Sequence, residues 1–204
     1  EDVAEFLKCF PFEPTNSQKK SIETVLNDMA KNFPMSRLLE GDVGSGKTAV
    51  AATASYVTVQ QRPNGQNFGN LQVAYMAPTE ILSRQHFEKI APLLKKFKIE
   101  SGLLTSSEAK ISEGEISKKE LIKKVAEGKI SLIIGTHSLI QKNINFKNLA
   151  LVIIDEQHRF GVSQRAQLAN SKWPMANSNK PYTISYVPHL LSMTATPIPR
   201  TLAL

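Results

Sequence analysis

Residues 41–48, Gly-Asp-Val-Gly-Ser-Gly-Lys-Thr, are the stretch whose types and spacing best suit chemistry. They satisfy G-x-x-x-x-G-K-[ST], the pattern of a phosphate-binding loop. Glycine permits backbone turns that a Cβ would strain, and such turns aim successive N–H groups at one point. Gly41, Gly44, Ser45 and Gly46 would form that cradle. Lys47 adds a full charge for the outer phosphates of a nucleoside triphosphate, and the Thr48 hydroxyl is a suitable Mg²⁺ ligand. A helix leaving the loop turns its N-terminal N–H groups and positive dipole end towards the same anion.

Asp155 and Glu156 offer the second half of such a site, because they close a continuous apolar run over residues 149–154. A carboxylate there can hold Mg²⁺ through water opposite Thr48, and the next one can orient and polarise the attacking water. The competing reading is an ordinary acidic strand end. Beside a phosphate loop the catalytic reading is preferred, with Lys47, Asp155 and Glu156 as catalytic candidates and Thr48 and Asp155 as metal candidates. Gln18 can offer a donor and an acceptor to an adenine edge. Phe12, six residues earlier, could stack on the ring. Gln18 equally fits the closing position of a capping box opened by Thr15. The four histidines, His86, His137, His158 and His189, form no H-x-x-x-H pair, which argues against zinc. His137 and His158 each follow a strand end, where they serve structure or link the nucleotide edge to a second ligand.

The elements around these residues alternate. The apolar residues 6–12, broken by Pro11, read as an arm packing on the domain. Thr15 to Gln18 starts a helix carrying Ile22, Val25, Leu26 and Met29 at helical spacing, with Pro34 expected to end it. Residues 37–40 read as a strand into the loop and 48–60 as the helix out of it. A turn-rich loop follows at 62–70. Strands are expected at 71–76, 99–104, 130–134, 149–154 and 189–193. Helices are expected at 80–97, where Pro92 is placed to kink or split the helix, at 118–127, and at 163–169. Residues 105–107 read as a polar turn, the polar stretch to 115 carries little signal, and 170–188 reads as a loop. A continuous apolar strand such as 149–154 fits burial on both faces of a parallel sheet. The alternation therefore predicts an open, mostly parallel α/β sheet with helices on both faces. Ligands on such sheets bind beyond the carboxyl ends of the strands. The phosphate loop, Pro78-Thr79, Thr136-His137, Asp155-Glu156 and Thr194-Ala195-Thr196 all follow predicted strands, so they are expected along one edge.

The chain has 204 residues, 41 % of them hydrophobic, which suits one domain with a real core. A single cysteine, Cys9, excludes a disulfide framework and a cysteine metal cluster within the chain and fits a reducing cytosol. No apolar run reaches the ~18 residues of a membrane span, and the acidic N-terminal residues 1–5 lack a signal-peptide pattern. The first residue is not Met, which fits a piece of a longer protein. A net charge of +7 favours a polyanionic partner, although exposed lysines also simply solvate helix faces.

Together these residues resemble superfamily 2 helicases, and more closely the RecG-type branch-migration DNA helicases. Residues 155–158, Asp-Glu-Gln-His, are similar to their motif II, and Arg159 to Val162 extend the match. Residues 193–202, Met-Thr-Ala-Thr-Pro-Ile-Pro-Arg-Thr-Leu, are similar to their extended motif III. Residues 77–82 with Gln85 and His86 are similar to motif Ia, and 135–137 to the next nucleic-acid-contacting motif. Residues 15–18 resemble the adenine-reading Q motif, which favours a nucleotide role for Gln18. The likeness spans residues 6–204. It is weakest over 106–115 and 170–188, and the stretch 173–187, longer than the family's usual link, is assigned no role. Transcription-repair coupling translocases share much of these runs, with Gln157 favouring the RecG type. RNA helicases with Asp-Glu-x-His are the next alternative, disfavoured by residues 159–161. A non-catalytic nucleotide-dependent module is disfavoured by the intact Lys47, Thr48, Asp155 and Glu156.

The resemblance implies a RecA-like motor domain that binds and hydrolyses ATP with Mg²⁺ while gripping branched or forked duplex DNA. The setting it implies is DNA repair and recombination in the bacterial cytoplasm, away from membranes. It places Pro78, Thr79, Arg84, Thr136 and His137 on the DNA backbone. It makes Gln157, His158, Thr194, Ala195 and Thr196 the coupling residues between nucleotide state and DNA grip. Residues 1–14 are expected to be an arm or linker from a preceding domain, and 15–204 the ATP-binding domain. A DNA-recognition domain is expected before Glu1, and a second RecA-like domain with an arginine finger after Leu204. Such an arginine is worth about 10³–10⁵ in rate, so the 204-residue chain alone is expected to bind nucleotide weakly and hydrolyse almost none.

Overall fold

A computed structural model describes residues 3–61, 70–136, 139, 144–156 and 187–195. The helices among them are α1 (Val3–Leu7), α2 (Asn16–Met29), α3 (Lys47–Gln60), α4 (Glu80–Lys95) and α5 (Lys118–Ala126). The strands are β1 (Ser36–Glu40), β2 (Gln72–Met76), β3 (Ser101–Leu104), β4 (Ala109–Ile111), β5 (Gly114–Glu115), β6 (Leu132–Gly135), β7 (Leu149–Ile154) and β8 (His189–Thr194). They form one sheet in the order β1-β8-β7-β2-β6-β3-β4-β5. Every pairing from β1 to β3 is parallel, as the alternation predicts. β3–β4 and β4–β5 are antiparallel.

Side-chain alternation along the strands divides the core in two. Tyr75, Leu132, Ile134, Leu151, Ile153, Leu191 and Met193 face α1 to α4. Ala74, Met76, Ile133, Val152 and Ile154 face the opposite way, towards Leu121 and Val125 of α5. α3 is apolar nearly all round and runs through the first core, as such a helix must. Its buried Thr53, Ser55 and Thr58 hydroxyls each donate to the carbonyl four residues back, at 2.8 Å, so none is left unsatisfied. The N-terminal arm packs on the domain as expected. Phe6 is fully buried and stacks on Tyr56 of α3 with ring centroids 4.4 Å apart. A pair of this kind contributes about 0.5–1.5 kcal/mol beyond its area.

Three expectations need correction. α4 runs through Pro92, which therefore does not split the helix; that proline is exposed, so the lost N–H bond lies on the solvent side. α2 stops at Met29, well before Pro34, with the Ala30 N–H closing back onto Leu26 and Asp28. Residues 109–115 form the hairpin β4–β5, where the sequence shows only a polar stretch. It is too short and polar to present an apolar alternation, and its register is set by β3. The expected helix at 163–169 and almost all of the loops at 62–70 and 170–188 lie outside the described residues.

Candidate nucleotide and nucleic-acid site

Backbone bonds between strand ends gather the candidate segments. The Gly41 N–H donates to Thr194 O (3.2 Å), Asp155 N–H to Met76 O (2.8 Å) and Ala77 N–H to Gly135 O (2.9 Å). The phosphate loop, Thr194-Ala195, Asp155-Glu156, Ala77 to Thr79 and Gly135-Thr136 therefore share the carboxyl edge, where an open α/β sheet binds ligands.

Within the loop, Gly44 and Gly46 both have φ of +83°, the left-handed region that a Cβ disfavours. Gly46 is the N-cap of α3, so the helix begins where the loop ends. Lys47 Nζ donates to Asp42 O at 2.9 Å and to Gly41 O. Its ammonium thus sits over the loop where phosphate oxygens would replace those carbonyls. Gln18 closes the capping box: its Oε1 accepts from Thr15 N–H (2.9 Å), while its own N–H donates to the Thr15 hydroxyl (3.3 Å). Its amide Nε2 donates to Ser45 O at 2.8 Å. The donor required by the adenine reading is therefore aimed at the phosphate loop. A Cβ on Gly46 would collide with that amide. Phe12 is half-exposed and leans on Phe10, with centroids 5.5 Å apart.

Asp155 is buried, 9 % exposed, and its Oδ2 lies 2.8 Å from His86 Nε2. The other ring nitrogen of His86 lies 3.4 Å from the Tyr75 hydroxyl. The Thr48 side chain lies close enough to that hydroxyl to act on its charge. Burial first, and then the nearby Asp155 charge, push the Tyr75 phenol well above its ordinary pKa, so it stays protonated. Asp155 is thus held from behind by His86, and Tyr75 stands next to both His86 and Thr48. Thr48 and Asp155 offer hard oxygen donors, the kind Mg²⁺ takes. No group of three or more His, Cys, Asp or Glu among the described residues could hold a metal ion. The site fits Mg²⁺, which is usually held by one or two protein oxygens together with phosphates and water. Glu156 has φ of +57°, one of two non-glycine residues with positive φ among those described. Such backbone costs about 1–3 kcal/mol and tends to cluster at functional sites.

The nucleic-acid candidates are engaged in the fold. Thr79 caps α4, its hydroxyl accepting from Leu82 N–H at 3.2 Å. Arg84 pairs with Glu108 at 2.7 Å, and Lys110 holds the other Glu108 oxygen, also at 2.7 Å. Hydrogen bonds from Lys110 and then Arg84 hold the Glu108 carboxyl below its usual range. Glu80 accepts from Ser106 N–H (3.0 Å) and from the Ser107 hydroxyl, so the loop leading into β4 is clasped onto the first turns of α4. Pro78 is half-buried at the strand end, and Thr136 and Thr194 are buried. His137, Gln157, His158 and Thr196 lie outside the described residues. Sequence reasoning assigns no role to Tyr75 or Glu108, and places His86 in motif Ia without one. A polar aromatic inside an apolar strand was the available signal for Tyr75.

A parallel sheet with a phosphate loop after one strand and an acidic pair after another, both on its carboxyl edge, defines a RecA-like P-loop nucleotide-binding domain. Residues 15–204 match the DEAD/DEAH box helicase family, and the chain belongs to that family. Membership implies nucleotide use. The chain is 44 % identical over its whole length to the ATP-dependent DNA helicase RecG of Bacillus subtilis (strain 168), covering 26 % of that protein. It is 45 % identical over 98 % of its length to RecG of Haemophilus influenzae, again covering 26 %. A solved structure of RecG bound to a three-way DNA junction matches with a TM-score of 0.72 and 39 % identity, over 98 % of this chain and 23 % of that one. The chain thus spans about a quarter of the length of the curated relatives it matches. No helix among the described residues is long and apolar enough to cross a membrane.

Proposed function

We propose that this chain is the first RecA-like motor domain of a RecG-type enzyme, which couples ATP hydrolysis to translocation on branched DNA and its remodelling. The observation that carries the reading is the pairing of an intact phosphate loop with Asp155 and Glu156 on one sheet edge, in a chain similar throughout to RecG. Lys47 and the loop N–H groups bind the phosphates, and Thr48 and Asp155 hold Mg²⁺. The metal, when bound, neutralises charge on the phosphates. Glu156, in its left-handed conformation, orients the attacking water. Gln18 senses the nucleotide through its bond to Ser45. Pro78, Thr79, Arg84, Thr136 and His137 face DNA, with Arg84 exchanging Glu108 for a phosphate. Gln157, His158, Thr194, Ala195 and Thr196 couple the two sites. Residues 1–14 join the domain to a preceding DNA-recognition domain, and a second RecA-like domain supplies the arginine finger. The setting is the bacterial cytoplasm, in DNA repair and recombination.

The Glu156→Gln variant of the full-length protein tests the assignment. It should retain ATP binding and lose hydrolysis by at least about 100-fold, as removal of a group acting in the transition state does. Unchanged hydrolysis would remove Glu156 from the catalytic role.

A further inference from the structure

His86 lies on the core face of α4 with Ser83, Ile90 and Leu94, an otherwise small or apolar row. An aliphatic side chain would fill that space without burying imidazole nitrogens. Both nitrogens are used: Nε2 lies 2.8 Å from Asp155 Oδ2, and Nδ1 lies 3.4 Å from the Tyr75 hydroxyl. The Tyr75 and His86 rings lie against each other, with centroids 4.8 Å apart. Removing the imidazole would leave a nearly buried carboxylate oxygen without this partner, which is costly unless the carboxylate moves or finds another.

We propose that His86 is a positioning residue for the nucleotide-bound metal. It aims the Asp155 carboxylate and is itself braced by the Tyr75 hydroxyl. The same imidazole anchors Asp155 to α4, the helix capped by Thr79 and carrying Arg84. The inference rests on the reading of Asp155 and Thr48 as the metal-holding pair. Groups that orient a metal ligand from behind typically change metal affinity by 10–100-fold when removed. They leave metal-free binding of the nucleotide untouched, because they touch neither base nor phosphate.

The experiment titrates Mg²⁺ into the full-length protein with a fluorescent, non-hydrolysable ATP analogue and repeats the binding in EDTA. His86→Ala should raise the half-effective Mg²⁺ concentration by roughly tenfold and leave affinity in EDTA unchanged. His86→Gln, whose amide N–H can reach the same carboxylate oxygen, should restore most of the shift. Tyr75→Phe removes only the hydroxyl and should shift the midpoint the same way by less, which keeps the test decisive if His86→Ala fails to fold. Asp155→Asn separates the two readings. Loss of Mg²⁺ dependence in that variant alone, with wild-type midpoints in the His86 and Tyr75 variants, overturns the role of His86. An unchanged Mg²⁺ dependence in Asp155→Asn overturns the metal reading and this inference with it. An equal loss of affinity with Mg²⁺ and in EDTA marks His86 as merely structural and also overturns the proposal.

Discussion

Gly46 carries more constraint than any other residue of the phosphate loop. It combines a left-handed φ of +83°, the start of α3 and close approach to the Gln18 amide. Gly44 has the same φ, but a Cβ there meets nothing within 4 Å. Gly44→Ala should therefore cost only the backbone term, about 1–2 kcal/mol, and weaken nucleotide binding modestly. Gly46→Ala must also displace Gln18 and should weaken nucleotide binding more than Gly44→Ala does. Equal effects in calorimetric titration would contradict this account. His189 supplies a pH prediction. Its Nδ1 accepts the Met35 N–H at 2.9 Å, and burial lowers its pKa from the ordinary value of about 6.5. A lowered folded pKa means the unfolded chain binds the proton more tightly. The stabilisation is complete above about pH 6.5 and is lost as pH falls through the lower folded value. Melting temperature should drop over that window, and a His189→Asn variant should lose this contribution to the slope. At this scale the sequence was most informative where a candidate motif is local, as in residues 41–48 and 155–156. It was silent where partners are remote. Gln18 and Ser45 are 27 residues apart and His86 and Asp155 are 69 apart, so only the fold brings them together.

Among the elements, β2 shows how much one polar residue can organise. Gln72 is buried, and its amide donates to Val125 O and Ile130 O at 2.9 and 2.8 Å. Its carbonyl accepts from Lys147 N–H and Asn148 N–H at 2.8 and 2.9 Å. One side chain thus ties the end of α5 and the entries to β6 and β7 together. Gln72→Leu would leave the Ile130 carbonyl and the Lys147 and Asn148 N–H groups without this partner, each costing about 1–3 kcal/mol if it stays buried, while Val125 O keeps the Gly128 N–H at 3.0 Å. A loss of at least about 3 kcal/mol is expected in denaturant unfolding of the chain; a loss under about 1 kcal/mol would mean the groups re-pair readily. Strong periodicity made α2, α5 and β7 readable, because one face or one whole strand is apolar. The β4–β5 hairpin was not readable. Its position depends on pairing with β3 and on the Arg84–Glu108 and Glu80–Ser107 contacts to α4. Pro92 misled in the opposite direction, since a proline on the solvent side of a packed helix need not break it.

For the molecule as a whole, topology turns scattered motifs into one surface. Parallel pairing from β1 to β3 brings the strand ends to a common edge, and the bonds Gly41–Thr194 and Asp155–Met76 lock them there. The alternation of elements predicts this sheet class. The strand order, with β8 and β7 between β1 and β2, does not follow from local pattern, because it depends on which crossovers the later segments take. A net charge of +7 fits a polyanion but cannot distinguish DNA from RNA, or a fork from plain duplex. That distinction is the central claim, and the steady-state ATPase rate of the full-length protein tests it most directly. It should be measured with forked DNA, linear duplex and RNA at equal nucleotide concentration and fixed salt. The account predicts strong stimulation by forked DNA, weaker stimulation by linear duplex and none by RNA. Stimulation by RNA alone would contradict it.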